Sequence, residues 1–182
     1  AKSTVDRHFT AALDTLADAG ATVKNVSVPN ISLALPAWAA IACTEFGAYL
    51  DSGAQNYWLE GGGGVIKSDT VKEALIENKE ELNRTLQSIL VVTEQLTALN
   101  KQFYDQARRA RRRVINGFAE VFEDVDCLAT PTMPQIAPRW DETDDGLSLF
   151  ESVANTAPCN VAGLPAVSVP CGRAGDVDLP VG

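Results

Sequence analysis

Nucleophilic or acid–base chemistry in this chain would have to come from few side chains: one histidine, His8, four cysteines at Cys43, Cys127, Cys159 and Cys171, and serines such as Ser152 and Ser168. A Ser-His-Asp or Cys-His relay needs an imidazole within hydrogen-bond reach of the nucleophile and a third group to orient it. His8 reads on the polar side of an amphipathic helix, so such a relay would rest on one poorly placed residue. The cysteines form no CxxC pair, which points away from a zinc site or a disulfide-stapled fold and toward buried reduced thiols. Asp141, Glu142, Asp144 and Asp145 cluster in a polar loop without the donor spacing of a calcium loop, and read as solvated. Nothing in the carboxylate spacing supports a glycosidase pair. The run Gly61–Gly64 is followed by Lys67-Ser68, but the preceding DSGAQNYWLE is no strand, so a flexible loop is predicted and not a phosphate cradle. No metal and no cofactor is expected.

The elements around these residues read as α/β. Residues 4–19 place Val5, Phe9, Ala12, Leu13 and Leu16 on one helical face, with Gly20 as the stop. The β-branched ATVKNVSVP at 21–29 then predicts a strand. The apolar stretch 31–50 predicts a buried helix with Pro36 in its first turn; Glu45 interrupts it, so no uninterrupted run of about 18 apolar residues is left for a membrane span. Residues 69–122 read as mostly helical with a break near Asn78. In their later part Phe103, Ala107, Ala110, Val114, Phe118 and Val121 form an apolar stripe. Arg108, Arg109, Arg111, Arg112 and Arg113 flank that stripe. A net charge of −9 makes them a solvated face and not a nucleic-acid surface. The carboxyl third reads strand (126–132), polar loop, helix (147–161), turn at Gly163-Leu164-Pro165, strand (166–171).

With 46% hydrophobic and 21% charged residues the chain is ordinary globular material. Its acidity opposes anionic membranes and suits solubility, and a salt-rich cytoplasm as well. The amino terminus opens on a polar amphipathic stretch where a signal peptide carries an apolar segment, which predicts a cytoplasmic chain. No internal repeat is present, and a single domain is the economical reading.

Three passages together resemble the amidase-signature family. NVAGLPAVSVPCG at 160–172 is similar to that family's Asn-x-Ala-Gly-x-Pro-x-x-Ser-x-Pro segment. FAEVFEDVDCLATPTMPQIAP at 118–138 looks like its helix end and Asp-x-Leu-x-x-Pro-Thr strand. ALPAWAAIACTEFGAYL at 34–50 resembles, less closely, its buried helix with a central glutamate. The resemblance implies an α/β fold, a mixed β-sheet core covered by helices, of which residues 1–182 would be the carboxyl-terminal portion of a single domain, incomplete at both ends. It also implies hydrolysis of a carboxamide by a Ser-cisSer-Lys triad. That triad belongs to a Gly/Ser-rich tract in the family's amino-terminal half, and no such tract occurs here. The chain alone is therefore expected to be inactive, with no catalytic residue of its own.

What the resemblance leaves to this chain is one wall of an acyl pocket for a small amide substrate. Trp38, Val153 and Thr156 are the implied substrate-binding residues, although Trp38 and Val153 also read as plain core. At the position of Val153 the A subunits of glutamyl-tRNA amidotransferases are expected to carry an aspartate for the glutamine ammonium, which valine cannot replace. A general amidase is therefore expected ahead of the glutaminase of a tRNA-dependent amidotransferase. A third reading is a non-catalytic remnant or interaction module. A chain cut through a shared sheet would expose apolar surface and strand edges and form a homodimer or aggregate.

Overall fold

The computed structural model describes residues 2–51, 73–75, 77–98, 101–139, 150, 152–174 and 178–182. The glycine run and the acidic loop cluster lie outside them. The chain forms two compact units, residues 1–38 with 109–182 and residues 39–108.

In the first unit, helix α1 (Lys2–Asp18) ends where Gly20 takes φ 102 and the amides of Gly20 and Ala21 close on the carbonyls of Ala17 and Leu16. Glycine is needed there because a side chain resists that left-handed backbone. Val5 is its buried anchor, whereas Leu16 is half exposed. Residues 21–28 carry no regular secondary structure and, apart from Val28, are exposed; they join no ladder among the described residues, which corrects the strand expected at 21–29. A β-branched run favours the conformation, but a strand also needs a partner edge.

A 3-10 turn (Ile31–Leu33) leads into α2 (Ala34–Asp51), with Pro36 in its first turn, where a missing N–H costs nothing. By length and composition Ile31–Tyr49, of mean hydropathy 1.4, is long and apolar enough to cross a membrane, a test that core helices also pass. Ala34, Ala37, Ala40 and Cys43 on it are buried against protein.

The long helical stretch is interrupted by a turn at 78–82, close to the expected break at Asn78. The Asn83 side chain then accepts the Leu86 amide (2.9 Å) and opens α3 (Arg84–Ala98). The next helix, α4 (Lys101–Val121), carries most of the predicted stripe: Ala107, Val114, Phe118 and Val121 are buried, Ala110 is half-buried and the five arginines are exposed, whereas Phe103, expected on the same stripe, is 45% exposed. In the second unit Tyr104 donates to Glu45 (2.7 Å) and lies under the Arg108 guanidinium. This satisfies the one carboxylate in the apolar stretch of α2.

Neither 126–132 nor 166–171 is a ladder strand, contrary to expectation. The sheet that forms pairs β1 (Gly172–Ala174) with β2 (Leu179–Val181), antiparallel, Arg173 opposite Pro180. The two extended segments are tied to this hairpin by single bonds, Thr132 N–H to the Gly182 carbonyl (2.9 Å) and Cys171 N–H to the Val181 carbonyl (2.8 Å). The helix expected at 147–161 is also broken: a turn at 153–156 precedes α5 (Ala157–Ala162). Pro158, which has no N–H to donate, occupies its first turn.

Two apolar clusters hold the unit together. One gathers Ala34, Val114, Phe118 and Val161, with Trp38 and Leu128 against it; the other gathers Val5, Ala174 and Val181 with Ile136 and Cys171.

Candidate functional site

Of the residues implied for substrate binding, Val153 and Thr156 lie on the turn before α5, and Trp38 meets the same segment through Phe150. Trp38, half-buried on the first turns of α2, packs on the cluster of Ala34, Val114, Phe118 and Val161 and meets the edge of Phe150 at a centroid distance of 6.4 Å and 75°. Phe150 begins the same segment that carries Val153 and Thr156. The Val153 carbonyl is its hub, accepting the amides of Thr156 (3.1 Å) and Ala157 (2.8 Å) and the Thr156 hydroxyl (3.2 Å). The Thr156 hydroxyl is thus turned back on its own backbone. Both side chains are half-buried.

Three further residues fix this segment, and no sequence pattern marks them for that role. The Asn155 amide donates to the Pro131 carbonyl (2.8 Å), Arg111 Nε donates to the Val161 carbonyl (2.8 Å), and Phe150 caps Trp38. In the sequence Arg111 stands out only as part of a charged face. The Asn155 and Phe150 contacts join positions far apart in the chain, where no periodicity reports them. At its far end α5 stops at Gly163, φ 74, as the glycine of Gly-Leu-Pro predicts.

A cavity lies apart from these residues, at the hairpin. Thr132, Met133, Gln135, Ser168, Pro170 and Gly182 line an open cavity of about 340 Å³. In it the Thr132 and Ser168 hydroxyls share a hydrogen bond of 2.7 Å. Ser168 is therefore engaged with a threonine and has no base beside it in that bond.

His8 departs from expectation. It is half-buried and packs directly over the Gly172 backbone, where a Cβ would collide with the ring. The single histidine thus secures α1 to β1. Of the cysteines only Cys43 is fully buried, and Cys127 is exposed, which corrects the expectation of buried thiols throughout. Burial pushes the Cys43 thiol up, and its hydrogen bond with Thr93 works in the opposite direction. Among the described residues no three His, Cys, Asp or Glu side chains are grouped to hold a metal ion.

Comparison with known proteins gives the frame for this arrangement. The A subunit of the glutamyl-tRNA(Gln) amidotransferase of Halobacterium salinarum is 38% identical over 98% of this chain and 42% of its own length. That of Halothermothrix orenii is 34% identical over 94% of this chain and 36% of its own. The crystal structure of the corresponding Thermotoga maritima protein superposes with a TM-score of 0.63 at 27% identity, covering 97% of this chain and 33% of that one. The chain thus spans about two fifths or less of these relatives, and its fold is a fragment of theirs. The family described as Amidase matches residues 1–182 from end to end, and the chain belongs to that family.

Proposed function

We propose that this chain is the carboxyl-terminal portion of an amide hydrolase of the glutamyl-tRNA amidotransferase A-subunit type, releasing ammonia from a carboxamide within a larger assembly. The observation that carries the reading is that relatives bearing this name align with nearly the whole chain. In this reading the nucleophile, its base and the oxyanion donors lie outside residues 1–182. The chain contributes the wall formed by Trp38, Phe150, Val153 and Thr156.

A second reading, a general amidase, is favoured by Val153. An apolar side chain cannot pair with a substrate ammonium, and leaving that charge unpaired in a pocket is costly. It suits an acyl group without charge.

The test is ammonia release by the complete gene product that carries this chain, with glutamine and with simple aliphatic amides as substrates. Glutamine hydrolysis that rises on addition of partner subunits supports the first reading. Hydrolysis of aliphatic amides in preference to glutamine supports the second, and no ammonia from either rules out both.

A further inference from the structure

We propose that Arg111 and Asn155 are positioning residues that fasten the turn and short helix carrying Val153 and Thr156 of the candidate acyl wall; the proposal rests on the amide-hydrolase reading above. The trailing end is set by how α5 stops. The Gly163 amide closes on the carbonyls of Cys159 (2.9 Å) and Asn160 (3.3 Å), and the Leu164 amide on that of Cys159 (3.0 Å). Those bonds do not reach the next carbonyl, that of Val161, a residue only 4% exposed. A buried carbonyl without a donor is costly. Arg111 supplies the donor from α4, fifty positions away in sequence, at 2.8 Å. Its positive charge also meets the negative end of a helix.

The leading end is set by Asn155, whose side-chain amide reaches the Pro131 carbonyl at 2.8 Å. Between the two tethers lie Thr156 and the start of α5. A helix of six residues has little cohesion of its own, so its orientation follows from what it is fastened to. The bonds that Thr156 makes to the Val153 carbonyl are local and carry the turn along as one piece. The placement of Val153 and Thr156 against a substrate therefore depends on α4 and on the segment around Pro131. A displacement of about 1 Å in such a wall is enough to alter turnover by about a hundredfold.

The experiment uses the complete gene product with Arg111→Ala, Arg111→Lys and Asn155→Ala, and Arg112→Ala as a control on an exposed position of the same helix. Kinetics of ammonia release from acetamide, hexanamide and glutamine are measured beside thermal melting. Arg111→Ala and Asn155→Ala are expected to raise KM about tenfold and to change the ranking of the three amides. Arg111→Lys restores part of the effect because it keeps a donor and a charge, and Arg112→Ala behaves as the parent protein. Unchanged KM and ranking in both alanine variants, or a loss of kcat that merely tracks the folded fraction, overturns the positioning role. A parent protein that releases no ammonia from any of the three overturns the hydrolase reading and the proposal together, so the two failures are distinguishable.

Discussion

At the scale of single residues, the cysteines separate by environment. Cys43 is 6% exposed and Cys127 is open to solvent. Because burial raises the Cys43 pKa, the folded protein holds that proton more tightly than the unfolded chain, and this contribution to stability is complete below the ordinary thiol range. It is lost as pH rises through that range toward the raised value. A thiol-specific chromogenic reagent at pH 7 should therefore label Cys127 rapidly and Cys43 only after denaturation. Labelling of Cys43 in the native protein as fast as that of Cys127 would show that the burial is wrong. His8 and Gly172 make a second case. Gly172→Ala places a methyl into the imidazole at a φ of 156 that a side chain resists, and should lower stability by about 1–3 kcal/mol, read as a lower Tm, with His8→Ala in the same background relieving only the steric part of the loss. Trp38, Val153 and Thr156 can be nominated from the sequence because they lie in or just before passages that resemble family motifs. Arg111, Asn155 and Phe150 are not, since what marks them is a contact with a residue far along the chain and no pattern within it.

Elements read from sequence with different success for a physical reason. A helix satisfies its own backbone, so the 3.6-residue period of α4 and the stop glycine of α1 are local facts that the sequence displays. A strand is completed only by a neighbour, and the β-branched runs at 21–29 and 166–171 have no ladder partner among the described residues, whereas the short hairpin β1–β2 does. The same locality argument hides the packing of 21–29. Gly117, mid-helix in α4, lies so close to the Pro29 backbone that a Cβ would strike its carbonyl. Gly117→Ala should thus destabilise the protein, although alanine would favour an isolated helix by about 1 kcal/mol. Val114→Ala, at a position 0% exposed in the centre of the main cluster, is expected to cost about 2 kcal/mol. Chemical denaturation of the two variants checks both signs, and a stabilised Gly117→Ala protein would mean that the 21–29 segment does not rest on α4.

At the scale of the whole molecule, surface character sets how the chain behaves in solution. Val167 and Val169 are 85% and 64% exposed, while Ser168 between them is bonded to Thr132. Val23 and Val26 add further exposed apolar surface. An apolar, unpaired segment favours association with a second copy. The net charge of −9 opposes it. The two effects respond oppositely to salt: like-charge repulsion is screened as the Debye length falls to about 3 Å at 1 M, while apolar burial is not weakened. Residues 1–182 expressed alone should therefore form dimers or larger species whose share grows with sodium chloride, measured by light scattering after size exclusion. Val167→Lys with Val169→Glu, which charges the edge without changing the net charge, should return the chain to monomer at every salt concentration. A parent chain that stays monomeric in high salt would show that these valines are not an association surface.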